Sequence, residues 1–118
     1  HHCASKKKFH LTKGTQLRDF CHIDDVIKAI FILLKSKSKK INGEIFNVGL
    51  GKSISIKNLT KMIKRKVGFG NPIFDIIPIK KDEIMKSEAS IKKLKKITGW
   101  FPKISLNKGI DLLIKKNV

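Results

Sequence analysis

Apolar and polar positions switch between two periods along this chain. Phe9-His10-Leu11-Thr12 is short and alternating and predicts a strand. Lys13-Gly14-Thr15-Gln16 reads as a turn, and 17–23 (Leu-Arg-Asp-Phe-Cys-His-Ile) has strand composition. Asp24 stands where an N-cap belongs, with Asp25 in the first turn, and both favour the positive end of a helix. Val26, Ile27, Ile30, Phe31, Leu33 and Leu34 then give helical spacing with a wide apolar face. A polar loop over 35–42 ends at Gly43, and Glu44-Ile45-Phe46-Asn47-Val48-Gly49 reads as a buried strand. After a short alternating stretch over 53–56, Ser55 caps a second helix from Ile56 to Val67, broken by 68–72. The run 73–79 predicts a strand whose Pro78 marks an edge or an end. Ser90 caps a third helix through Ile91, Leu94 and Ile97, stopped by Gly99, and Ser105 caps a last helix through Ile110, Leu113 and Ile114. The pattern is α/β, with four helices and several short strands. Residues 1–8 form a polar, flexible start or cloning remnant, and 9–118 form one unit without internal repeats.

The 118 residues are 41% hydrophobic and 31% charged, which excludes a disordered polar tail and suits one small core. The longest apolar run covers only 29–34, far below the ~20 residues a membrane span needs, so no membrane partner is expected. No initiator Met and no signal-peptide apolar segment are present, and a chain opening on His-His-Cys reads as a fragment. Cys3 and Cys21 are too few for a secreted disulfide scaffold and read as reduced thiols of a cytoplasmic protein.

The net charge of +18 raises an alternative, a free-standing Lys-rich nucleic-acid-binding domain. Three features weigh against it. Of the 27 basic residues only Arg18 and Arg65 are Arg, whereas bidentate reading of phosphate and guanine favours Arg. The Lys residues are spread along most of the chain. The joint abundance of Ile, Lys and Asn reads as a compositional bias of the source. A third reading is a structural or assembly protein that keeps the scaffold without a ligand.

Several motifs fail. Gly49-Leu50-Gly51-Lys52-Ser53 has the tail of a phosphate-binding P-loop, but Phe46 stands where the first Gly is required. No Gly-x-Gly-x-x-Gly or Gly-x-x-Gly-x-x-Gly occurs, so the chain carries no dinucleotide fingerprint. His1, His2, Cys3, His10, Cys21 and His22 match no zinc spacing, so no metal is expected. The absence of Tyr excludes a Tyr acid or base here, and adjacent Cys21 and His22 point to opposite faces of a strand.

The informative stretch runs from Gly14 to Val26. It sets a rare Arg at the end of a turn, then an acid, a strand and an acid-capped helix. One Arg among so many Lys fits a site needing a planar fork, such as a diphosphate. A surface pair of Arg18 with Asp19 or Asp24 fits equally well. The stretch resembles the G-x-x-x-R-D-(F/Y/W)-(I/V)-(H/Y)-(V/I)-x-D signature of the extended short-chain dehydrogenase/reductase superfamily, the NAD-dependent nucleotide-sugar epimerases and dehydratases. Further segments follow in the family's order: 43–49 resembles its late strand, and 55–59 the helix start after it. Pro78-Ile79-Lys80-Lys81-Asp82-Glu83 resembles its basic segment, and 89–106 its C-terminal helix pair.

The resemblance implies a fold, partners and two site residues. Arg18 matches the family Arg that grips the diphosphate of a nucleotide sugar. Lys80, favoured over Lys81 by counting back from Ala89, matches a second phosphate-reaching position that is usually Arg. No catalytic residue is assigned, because the family's Gly-rich loop and Tyr-x-x-x-Lys pair lie in an N-terminal region. The chain thus looks like the C-terminal, substrate-binding portion of a Rossmann-type enzyme, nearest to those of surface-polysaccharide synthesis. It would bind no cofactor alone, NAD(P) being implied for the full-length enzyme. Its partners would be a nucleotide-diphosphate sugar and either the missing N-terminal region or further copies meeting through exposed strands. Asp19, His22, Asp24, Asp25 and Asn47 read as structural, and Trp100 as a core residue against the last helix.

Overall fold

The computed structural model describes residues 7–117. The α/β pattern holds, with elements β1 (Lys8–His10), β2 (Leu17–Asp19), α1 (Ile23–Lys35), β3 (Ser53–Ser55), α2 (Ile56–Val67), β4 (Asn71–Ile73), β5 (Lys86–Ser87), α3 (Lys92–Thr98) and α4 (Leu106–Asn117). A short 3-10 helix, Lys39–Ile41, lies in the stretch read as a polar loop. His1, His2 and Cys3, and most of the start read as 1–8, lie outside the described residues. The chain divides into two compact units, one of 1–18, 54–87 and 110–118, the other of 19–53 and 88–109.

In the first unit β1 runs parallel to β4, with Phe9 opposite Pro72. A three-stranded sheet has the order β3-β2-β5, and Leu17 and Arg18 lie opposite Lys86 and Ser87 in parallel register. Gly14 turns at a φ of +70° beneath the start of α2, where its carbonyl accepts from the Lys57 amide at 2.9 Å. A Cβ on Gly14 would meet that amide nitrogen at 2.9 Å, which accounts for glycine four residues ahead of the Arg. Helix α2 begins and ends where the sequence places it. The Ser55 hydroxyl accepts from the Asn58 amide at 3.2 Å, and Gly68 closes the helix in the left-handed region. Ser55→Ala is expected to lower stability by about 1 kcal/mol, read as a shifted urea midpoint at unchanged slope.

The predicted strand over 73–79 is corrected. Pairing stops at Ile73, Asp75 turns the chain at a φ of +67°, and the Ile76 and Ile77 amides both donate to the Leu11 carbonyl at 3.1 Å. Asp tolerates that backbone region better than most residues, and the turn takes the place of a continuing ladder. Strand β5 carried no periodic signal at all.

In the second unit the core is small. Ala29 of α1, Leu94 of α3 and Trp100 are buried together, with Leu33, Phe46, Val48 and Ile91 packed on them. Trp100, 4% exposed, is therefore a core residue, set among α1 and α3 where the sequence pointed to the last helix. Helix α1 starts two residues earlier than expected. Its cap is His22, whose Nδ1 accepts from the Asp24 amide at 3.2 Å, while Asp24 and Asp25 both sit inside the first turn. The strand expected over 17–23 accordingly ends at Asp19. Ser90 does not cap α3, whose N-cap is Ile91 without a side-chain bond, but Gly99 ends it as expected. Ser105 does cap α4, accepting from the Lys108 amide at 3.3 Å.

The strand expected over 44–49 has no ladder partner among the described residues, and Ile45 is 83% exposed. A strand exists as such only when a neighbour supplies its hydrogen bonds. The wide apolar face of α1 is likewise uncovered at Ile23, Ile27, Ile30, Phe31 and Leu34. No helix among the described residues is long and apolar enough to cross a membrane.

Candidate functional site

Arg18 sits in the middle of β2, fixed in place by the β2–β5 ladder. Its Nη1 donates to the Leu17 carbonyl at 2.9 Å, and its Nη2 forms an ion pair with the Glu83 carboxylate. The two side chains are 27% and 28% exposed, so the pair is largely shielded yet reachable from solvent. Glu83 belongs to the turn that precedes β5. Its amide donates to the Lys80 carbonyl at 3.1 Å, and the Leu17 amide donates to the Met85 carbonyl at 2.8 Å. Strand pairing thus brings Arg18 to the 80–83 turn, 65 residues away in sequence for Glu83. Lys80 is exposed on that turn.

The local partners considered for Arg18, Asp19 and Asp24, are not the ones it uses. Glu83 was missed, although an acidic pair at 82–83 inside a basic stretch is a legible signal. Asp19, the last residue of β2, works in the second unit. Its Oδ1 accepts from the Leu50 amide at 2.8 Å, and its Oδ2 from the Gly51 and Ala89 amides at 2.9 and 3.1 Å. Asp25, 1% exposed, accepts from the Lys103 and Ile104 amides at 3.0 and 2.8 Å. Both acids therefore pin loops rather than pair strands or cap a helix. Asn47 is exposed.

The remaining chemistry is inert. The Cys21 thiol is pushed above its ordinary value by burial first, then by the Asp25 and Asp19 carboxylates, which disfavours the thiolate. Among the described residues no group of three or more His, Cys, Asp or Glu is placed to hold a metal ion. The glycine turn at 49–51 does not fit a dinucleotide phosphate. A Cβ on Gly49 would lie 2.6 Å from both the Asp19 carboxylate and the Ala89 Cβ, so the chain's own acid already fills that cradle. A carboxylate in that position repels phosphate.

Comparison with known proteins gives this geometry its context. Residues 1–49 match the model of the NAD dependent epimerase/dehydratase family. The chain is 32% identical to the CDP-abequose synthase of Salmonella typhimurium, over 97% of this chain and 40% of that protein. It is 36% identical to a putative UDP-glucose 4-epimerase of Methanocaldococcus jannaschii, over 86% of this chain and 31% of that one. The crystal structure of the UDP-glucose 4-epimerase of Thermotoga maritima with UDP-glucose superposes with a TM-score of 0.83 at 28% identity, covering 96% of this chain and 35% of the other. The chain thus spans well under half the length of the relatives it matches. Over the stretch it shares with them, the chain is similar to members of the NAD dependent epimerase/dehydratase family, whose model it matches over residues 1–49.

Proposed function

We propose that these 118 residues are the nucleotide-sugar-binding, C-terminal part of a longer NAD(P)-dependent sugar-nucleotide epimerase, dehydratase or reductase. Surface-polysaccharide synthesis is the setting its similarity to CDP-abequose synthase favours. The observation that carries this reading is the placement of Arg18. The forked cation on β2 is held beside the turn that carries Lys80, within a chain similar along nearly its whole length to enzymes named for nucleotide sugars. Arg18 supplies parallel N–H donors to a diphosphate, and Lys80 adds a point charge without the fork. The excess of Lys draws an anion in, an attraction that weakens as salt rises.

Hydride transfer, NAD(P) binding and acid/base chemistry fall to the rest of such an enzyme. The uncovered side of α1 and the unpaired segment over 44–48 are the surfaces that rest would cover, by adding strands beside 44–48 and apolar side chains against Ile23, Ile27, Ile30 and Leu34.

Calorimetric titration of the chain with UDP-, CDP- and dTDP-sugars tests the reading. Arg18→Ala is expected to weaken the best of them by about 10- to 100-fold, the worth of hydrogen bonds to a charged group. Equal binding by wild type and variant removes Arg18 from the site, and no binding of any of the three removes the site itself.

A further inference from the structure

The ion pair at Arg18 has a consequence for ligand entry. Both terminal nitrogens of the guanidinium already have acceptors, the Leu17 carbonyl and the Glu83 carboxylate. A diphosphate seated on the same nitrogens would bring its oxygens up to the Glu83 carboxylate. Like charges at that range oppose each other strongly in a partly shielded site. Glu83 reaches Arg18 from an irregular turn held by the Lys80–Glu83 backbone bond, not from a helix or a strand interior. A carboxylate in that setting can swing away at the cost of one side-chain contact.

We propose that Glu83 is the resident counter-ion of the diphosphate site: it occupies Arg18 when the site is empty, and an incoming diphosphate displaces it. This rests on the reading of Arg18 given above and adds a residue that governs affinity without touching the ligand. Glu83 screens the one forked cation against smaller or less charged anions and sets how tightly a diphosphate binds. Its carboxylate also keeps the guanidinium satisfied in the empty protein.

Inorganic pyrophosphate is the probe, because it carries the shared chemistry without a base or sugar. It is titrated calorimetrically, at one fixed ionic strength, into the full chain as wild type, Glu83→Gln, Arg18→Ala and the double variant. Glu83→Gln is expected to bind about fivefold tighter than wild type, the size of an ion pair no longer broken on binding. In the Arg18→Ala background the Gln should change nothing. The 13C signal of the Glu83 carboxyl supplies a measurement independent of any variant. In the wild type it should move as pyrophosphate saturates the site, with the same midpoint as the heat. Weaker or unchanged binding by Glu83→Gln, with Arg18→Ala still losing pyrophosphate, overturns the counter-ion role and leaves Arg18 as the anchor. Tightening that persists in the double variant shows a general charge effect and also overturns it, as does a Glu83 signal that stays still at saturation. Wild-type affinity in Arg18→Ala fails the underlying site itself.

Discussion

Asp19→Ala is expected to destabilise the chain by about 3–4 kcal/mol, a large part of the ~5–15 kcal/mol that typically holds a domain together. One carboxylate accepts three backbone amides, those of Leu50, Gly51 and Ala89, from two loops that are 31 to 70 residues away in sequence. Truncation to a methyl leaves those donors without their acceptor in a partly buried place. The close approach of Gly49 to the same carboxylate leaves no slack for a neighbouring side chain to replace it. Asp19→Asn should fall between wild type and Ala, because the amide keeps one acceptor oxygen but turns two donors toward backbone N–H groups. Urea unfolding followed by far-UV circular dichroism measures the difference. A loss below about 1 kcal/mol for the Ala variant would mean that the loops hold without the acid.

Asp25→Ala should cost about 2–4 kcal/mol. The side chain is buried, and Oδ2 holds the Lys103 and Ile104 amides just ahead of the last helix. Oδ1 is buried without a protein partner, so this carboxyl is not fully satisfied even in the folded chain. Asp25→Asn preserves the Oδ2 contacts and removes the charge, and is expected to lose about 1 kcal/mol, less than half the effect of Ala. Equal losses for the two variants would show that the negative charge, and not the acceptor geometry, carries the effect. The same urea experiment separates these outcomes. Loss of stability here should leave the pyrophosphate affinity of the remaining folded fraction unchanged, because Arg18 and Glu83 both lie in the other unit.

Helices were the legible part of this fold. Ser55 and Gly68 bound α2 as expected, Gly99 ends α3, and Ser105 caps α4. Helix α1 begins two residues earlier than expected, because the His22 imidazole nitrogen supplies the cap expected of Asp24. Strands were much less legible. The apolar run over 44–49 is irregular and has no ladder partner among the described residues, the run over 73–79 is cut by a left-handed Asp75, and β5, two residues long, has no pattern to read. Burial on α1 was overestimated for a related reason, since the periodicity marks a face fit to be covered without providing the cover.

The amino-acid order alone determined most of the helix ends, the α/β class and the rarity of Arg, with Arg18 and Arg65 standing among so many lysines. Each of these depends on neighbours within about four residues or on composition, and so is written locally. Tertiary structure decided which strands pair, that Asp19 and Asp25 bind loops, and that the acid facing Arg18 is Glu83. A ladder or an ion pair needs a partner brought from far along the chain, and nothing local encodes which of several acids or extended runs will arrive.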